Sequence, residues 1–455
     1  MKGERVSIRR RVLNLSLPVL FSSLLQRLVA IIDIFLVGGL GKEAIAATGL
    51  GQLLLFVVMT VFWGLATGTT VVIAHNWGGN RRDDARRAAF AALMLCGVMT
   101  VVVTLLGVSY GEGLAQFIGA RGELLQLSSR YIHLIFLYLA FTTGLNILSA
   151  IMQGIGDTRT PMIAIVLVNI LHVILAIPLV YGMAIPSLNL PLGMATPALD
   201  IPTYGVAGAA YAINISEGIG FVYLLLQGIS RGYFHFGPID RLQLGRIWRI
   251  GFPVALERVA QQSGQLFYSK YIIGYGTAAY AAHQIGLSIE SLSFMPGAGM
   301  GIAASTLMGQ ALGARKVKRA RVTHAEALRL ALIVMGSMAV IFLTIPHLLV
   351  SAFSSDPEVI RMGSLFLRLV AFAQVPLALS FVYAGSLRGT GDTVYVFLVT
   401  LGAMWGVRVV LSYLASSVFL LPLSMVWGVF LIDWFVRAAA FAWRYRRRDL
   451  HGVYY

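Results

Sequence analysis

The chain has 455 residues, of which 58% are hydrophobic and only 12% charged. Soluble domains carry about 25% charged residues, so a chain this apolar is read as a polytopic membrane protein. The single cysteine, Cys96, excludes a disulfide framework or a thiolate metal site, and the net charge of +16 is read as a topology signal, not a nucleic-acid surface.

The first apolar run, 15–38, carries one acid, Asp33, and one base, Arg27. Two dozen residues at helical rise reach about 36 Å, enough to cross a hydrocarbon core of about 30 Å with tilt. Arg9, Arg10 and Arg11 precede it and no small-residue cleavage site follows, so it reads as a retained span. A carboxylate belongs there only if it faces a wet cavity or a partner. Asp33 therefore either hydrogen-bonds neighbouring helices or handles a coupling ion. Arg27 is six residues away, about 120° round the helix, and is not a same-face partner.

Eleven further runs lie near 44–73, 89–111, 131–152, 161–182, 205–228, 250–273, 279–308, 324–350, 364–385, 395–416 and 420–443. The segments on the N-terminal side of these crossings hold most of the Lys and Arg. The opposite loops hold only Lys42, Arg121, Arg130 and Arg361. Such an excess marks the cytoplasmic face, which places both termini inside.

An internal repeat is visible without gaps at an offset of 235. Pro18 matches Pro253, Gly51 matches Gly286, Gly78 matches Gly313, and Gly156-Asp157-Thr158 matches Gly391-Asp392-Thr393. Six spans per half make the copies parallel, related by an axis along the membrane normal. The expected fold is all-α: twelve transmembrane helices in two six-helix bundles, 1–228 and 250–455, joined by a basic cytoplasmic linker, 229–249. The Gly-Asp-Thr turns read as caps, with Asp accepting from the next helix's amides. The loop 183–204 holds Pro186, Pro191, Pro197 and Pro202 and reads as a structured outer cap or a flexible flap.

Polar residues inside the spans are the site candidates. On the fifth, His172 and Asn169 lie close to one another, and His172 is either a proton relay to Asp33 or a satisfied core histidine. Glu217 on the sixth has no evident partner. Glu257 and Arg258, past Pro253 on the seventh, form an inner gate or a structural pair. Tyr138, Tyr268, His283 and Gln284 offer polar contacts to a substrate cavity. Glu290 on the eighth span either lines that cavity or bonds amides freed by Pro296, where Met295-Pro296-Gly297-Ala298-Gly299-Met300-Gly301 suggests a bend. Arg408 and Asp433 neutralise each other near mid-membrane, with Arg437 competing.

The motifs Ile32-Asp33-Ile34-Phe35-Leu36-Val37-Gly38, Gly154-Ile155-Gly156-Asp157-Thr158-Arg159, Ala281-Ala282-His283-Gln284-Ile285, Glu290-Ser291-Leu292-Ser293-Phe294-Met295-Pro296-Gly297, Gly309-Gln310-Ala311-Leu312-Gly313-Ala314 and Gly385-Ser386-Leu387-Arg388-Gly389 cover nearly the whole chain. Together they resemble the multidrug and toxic compound extrusion (MATE) transporters. The resemblance implies a V-shaped cavity between two bundles and export of cationic or amphipathic compounds against inward Na⁺ or H⁺. Departures are equally plain. The second acid that one branch carries on the fifth span falls on Val173 or Ile177, and the tenth-span positions that another branch uses are Ala373 and Leu377. That other branch's acid on the seventh span falls on Gln261, one turn beyond Glu257.

The expectation is a monomeric antiporter of the inner membrane. It exports small organic cations, H⁺ is preferred over Na⁺ because the second carboxylate is missing, and no other cofactor or nucleic-acid partner is called for. A lipid-linked oligosaccharide flippase or polysaccharide exporter of the same superfamily is the first alternative. It needs a basic cavity, to which Arg27, Arg258 and Arg408 can contribute. An intramembrane enzyme is the second, but there is no His-Glu-x-x-His pair, Gly-x-Ser-x-Gly elbow or phosphate-binding loop.

Overall fold

The computed structural model describes residues 2–185, 189–190, 194–195, 199–235 and 237–451. In hydrocarbon every backbone amide has to be satisfied inside its own segment, and the apolar runs accordingly form helices. In the first half these are α1 (Lys2–Gly38), α2 (Lys42–Gly78), α3 (Arg82–Ile118), α4 (Gly122–Leu137), α5 (Leu139–Ile155), α6 (Arg159–Tyr181) and α7 (Val206–Ser230). In the second they are α8 (Arg241–Ile273), α9 (Thr277–Gly313), α10 (Val317–Thr344), α11 (Pro346–Ser351), α12 (Pro357–Gly389), α13 (Thr393–Leu401), α14 (Val410–Tyr413) and α15 (Leu423–Arg447). Two π-helical stretches, Gly402–Val409 and Leu414–Val418, join α13 to α14 and follow α14.

Each expected run falls in one long helix or in abutting helices. Among the described residues nine helices are long and apolar enough to cross a membrane, and α4 with α5, bent by 46°, makes a tenth. The helices α8 and α9 have 33 and 37 residues but are less apolar. The helix α9 runs unbroken through Pro296.

Local chemistry sets the ends. Asp240 caps α8 by accepting from the amides of Leu242 and Gln243 at 2.9 and 3.1 Å. Asp157 accepts from the Thr160 amide at 3.0 Å, as expected of a cap. Its repeat partner departs from that expectation. Asp392 makes no capping bond and instead holds Arg444 at 2.8 Å and Arg448 at 2.5 Å. Those arginines come from the last turn of α15 and the residue after it, so the cations reach the carboxylate where the amides would have. In the loop after α6, Met183–Ile185 pairs antiparallel with Leu199–Ile201, and Asn189–Leu190 with Met194–Ala195. Pro186, Pro191 and Pro197 lie outside the described residues.

The two largest cores exchange helix starts. The core of the second half, around Tyr268, Phe366 and Trp427, also takes in Ile8, Val12 and Leu15 from the start of α1. The core around Phe62, Ile73 and Leu148 of the first half takes in Ile247 and Ile250 from the start of α8. A third core, with Val37, Tyr131 and Phe136, fills the far end of the first half.

The repeat holds at the level of contacts. A Cβ on Gly51 would overlap the Tyr131 ring, and one on Gly286 would overlap Phe366, both pairs being related by the offset of 235. Gly78 and Gly313, another related pair, let α2 and α9 cross at the arginine-rich end. A Cβ on Gly78 would overlap the Gln310 carbonyl, and one on Gly313 the His75 carbonyl. Nearby, His75 Nε2 donates to the Gly389 carbonyl at 2.7 Å. Gln310 Nε2 donates to the carbonyls of Gly154 and Ile155, both at 3.0 Å. The two halves are closed against each other there. Gly313→Ala should therefore lower the thermal midpoint of the detergent-purified protein, at the cost of about 1–3 kcal/mol typical of overpacking. Gly336→Ala, where an added Cβ meets open space, should leave it unchanged or raise it.

Candidate functional site

Two hollows carry the polar chemistry. The first, of ≈ 220 Å³, lies within the first half, away from the arginine-rich end, and is lined by Asp33, Thr48, Gln52, Tyr131 and His172 among others. Asp33 and His172, 139 residues apart, meet there with Nε2 2.5 Å from Oδ1. The His172 side chain is 4% exposed and that of Asp33 20%, so the carboxylate is the solvent-facing member. Asp33 is brought in by α1 and His172 by α6. The other ring nitrogen of His172, Nδ1, is buried without a partner, as is Asn169 Nδ2 one turn earlier. Asn169 does not line the hollow. Arg27 is exposed and pairs with nothing among the described residues.

Glu217, for which the sequence offered no partner, accepts a hydrogen bond from Thr142 Oγ1. It lies near enough to His172 for the two to interact electrostatically. The first bundle thus does contain a second carboxylate, on α7, although Val173 and Ile177 are apolar. Tyr131 and Gln52 also stand on the wall of this hollow. Nothing in the sequence sets these two apart from the other uncharged polar residues of the spans, because which helix face turns toward Asp33 is not written in one segment.

The second hollow, ≈ 390 Å³, lies between the halves, and its wall includes Trp63, Glu257, Arg258, Gln261, Arg388 and Arg437. Glu257 and Arg258 therefore do reach the central cavity. Arg388 Nη2 lies 2.6 and 2.9 Å from the two carboxylate oxygens of Glu257, and Thr400 Oγ1 donates to Oε1 at 3.2 Å. Glu257 thus pairs with Arg388 from α12 and not with its sequence neighbour. Arg258 lies over Trp63, 5.2 Å from the ring centroid.

The residues expected to line that cavity do not. Tyr268 is fully buried and donates to the Val426 carbonyl at 3.2 Å. His283 is buried between the rings of Tyr268 and Phe366, at 5.6 and 5.1 Å, and neither of its nitrogens has a partner. Tyr138, at the break between α4 and α5, stacks on Phe141. Gln284 is exposed and donates to Tyr280 Oη at 2.6 Å. Glu290 is 5% exposed and feels the charge of Arg408. Pro296, expected as a bend or gate and not as a cavity contact, lies off the cavity wall, although its neighbours Phe294 and Ala298 are on it. For Tyr268, His283 and Glu290 the physical reason is helix rotation: their faces of α8 and α9 turn into the second bundle's own core.

Arg408 and Asp433 do pair, at 2.5 Å, and Arg437 joins them, its Nε 2.7 Å from Asp433 Oδ1. All three are nearly inaccessible. Arg408 also donates to Gln265 Oε1 at 3.2 Å and lies over Phe430 at 4.4 Å. It sits in the first π-helical stretch, and such wider turns are frequent at functional sites. Of the three arginines expected to make a basic cavity, only Arg258 lines it. No cluster of three or more metal-ligating side chains occurs among the described residues.

The MatE family model matches residues 18–177 and 253–414, once in each half. The chain belongs to the MatE family. A probable multidrug resistance protein NorM of Thermotoga maritima is 29% identical over 419 residues, covering 90% of this chain and 86% of that one. The multidrug resistance protein NorM of Burkholderia vietnamiensis is 26% identical over 411 residues, covering 88% and 85%. Among solved structures, the Vibrio cholerae MATE transporter VcmN superposes with a TM-score of 0.88 at 18% identity, covering 99% of each chain. A multidrug resistance MATE transporter in an outward-facing conformation gives 0.85 at 22%, covering 97% and 96%. These likenesses show that the fold is shared. This MatE chain is a multi-pass membrane protein of the multidrug-efflux transporter family. It carries the first-span acid of the resemblance, Asp33, and sets His172 against it.

In this MatE chain two guanidinium groups depend on one buried carboxylate. Removing its charge leaves both without a counter-ion, a change that costs about 3–5 kcal/mol when one partner of a buried pair is lost. Asp433→Asn should accordingly reduce the yield of monodisperse protein and lower its thermal midpoint, read by fluorescence-detected size exclusion after heating. Asp83→Asn, whose partner Arg86 lies at 3.5 Å on an exposed face, should change neither.

Proposed function

We propose that this MatE chain is a proton-coupled antiporter that exports small amphipathic organic compounds by alternating access, with Asp33 and His172 as the coupling site. The observation that carries the reading is the 2.5 Å contact between them on the wall of a hollow inside the first bundle. With one proton between them the pair has no net charge; without it, Asp33 is an anion in a low-dielectric wall. The bilayer favours the neutral form, so the site is loaded before it reorients. Glu217 and Tyr131 are the other titratable groups near the pair, and neither is a cation that would replace the proton. An imidazole is a poor ligand for Na⁺, a hard cation that favours several convergent oxygens. That supports H⁺.

The arginine-rich ends of the helices read as cytoplasmic, with both termini there. The crossing of α2 and α9 closes that face. The central cavity then has its exit on the opposite side, and the conformation is outward-facing. Both hollows are built from a single chain, which suits a monomer working in the cytoplasmic membrane.

The test is efflux from vesicles under an imposed pH gradient. Acidifying the outside should speed efflux in the parent protein. Asp33→Asn should slow it about tenfold or more, within the usual range of site-to-site coupling free energies of about 1–3 kcal/mol. His172→Gln keeps a donor facing Asp33 but cannot titrate. It should retain some efflux while losing most of the rise on acidification. Undiminished proton-driven efflux in Asp33→Asn would remove the pair from the mechanism.

A further inference from the structure

The central cavity has a charge surplus of one sign. Three guanidinium groups reach its wall, from Arg258, Arg388 and Arg437, against one carboxylate, Glu257. Arg388 and Glu257 neutralise each other in a two-point pair. Arg437 is matched behind the wall by Asp433, which also holds Arg408. The surplus is Arg258. Among the described residues no hydrogen bond or ion pair reaches its guanidinium, which faces the cavity over the Trp63 ring. A cation placed in this cavity meets an uncompensated guanidinium, and the one carboxylate on the wall already has both oxygens bonded to Arg388.

We propose that the cavity takes an amphipathic organic anion, whose carboxylate or phosphate group docks on Arg258. This rests on the exporter reading above and replaces the organic cation expected from the sequence. Arg258 supplies a planar donor set suited to two oxygens. Phe294 and Phe381, in edge contact at 4.5 Å, offer an apolar wall for the rest of the molecule. The direction of transport is consistent with that charge. One proton moving in and one monoanion moving out carry two positive charges inward together, so an inside-negative potential drives both. Exchange of a proton for a monocation carries none.

Binding and transport separate the two readings. Carboxyfluorescein, an anion, and ethidium, a cation, are titrated against purified protein by fluorescence anisotropy with no gradient present. The anion should bind the tighter of the two. Arg258→Gln should weaken its binding about tenfold or more, the scale of a hydrogen bond to a charged group. Arg258→Lys should restore most of it, and Arg87→Gln, an exposed arginine away from the cavity, should leave it unchanged. In proteoliposomes, proton-driven carboxyfluorescein efflux should accelerate under a valinomycin-set inside-negative potential. Tighter ethidium binding, or anion binding indifferent to Arg258→Gln in protein that keeps its thermal midpoint, would overturn the proposal, even with proton-driven efflux intact. Anion binding that depends on Arg258 without proton-driven efflux would sustain the cavity assignment and defeat the coupling reading. A parallel arm with fluorescent phosphatidylglycerol distinguishes the source of the anionic group: Arg258-dependent transfer of the lipid between leaflets assigns a lipid headgroup, and its absence a free organic anion.

Discussion

Asp33 stands against His172 near the far end of the leading helix, and the surrounding structure is arranged to make that contact possible. Neither residue is affordable alone in hydrocarbon: the carboxylate lacks a counter-ion and the imidazole has a buried, unbonded nitrogen. Together they form a unit that is neutral with one proton and charged without it. The hollow beside them gives water a place from which a proton can arrive. A fixed guanidinium in place of His172 would have locked the acid in its ionised form. A titratable partner leaves its charge adjustable.

The second half shows the same scaffold with different chemistry. At the offset of 235, Tyr268 stands where Asp33 does, His283 where Thr48 does, and Phe366 where Tyr131 does. Those three rings pack edge to face, and Arg408 lies 5.6 Å from the Tyr268 centroid. The open hollow of the first half has become a filled aromatic core with its own internal cation. Arg408 is held by Asp433 and cannot be exchanged as an ion can. The backbone frame repeats because Gly51 and Gly286 admit an aromatic ring at the same place. The sites diverge because the side chains inside that frame differ.

Several charges inside the membrane are handled by local pairing, and one that is not is informative. Asp433 serves two arginines, Glu257 takes one in both oxygens, and Glu217 accepts from a hydroxyl. Among the described residues of the cavity wall, Arg258 is the arginine left to an aromatic face and to whatever the cavity receives. An unpaired guanidinium in such a place is open to an anion in a way that the paired ones are not.

Sequence alone determined what depends on composition along one segment. The apolar runs set where helices form, because a bilayer demands internally bonded backbone. The asymmetry of Lys and Arg indicated an orientation, the offset of 235 revealed the repeat, and Asp33 stood out as an acid where acids do not belong. The approach of His172 was legible as one of two readings, since the missing acid of the fifth span falls beside it. Tertiary structure decided which helix faces turn toward which hollow. Tyr268, His283 and Glu290 are polar in the string of letters, but the rotation of α8 and α9 buries them in the second bundle's core. Glu257 found Arg388, 131 residues away, and not the arginine beside it. Glu217 found Thr142 across the bundle. Such pairings depend on crossing angles and rotations that glycine contacts and packed rings impose, and no periodicity within a single helix encodes them.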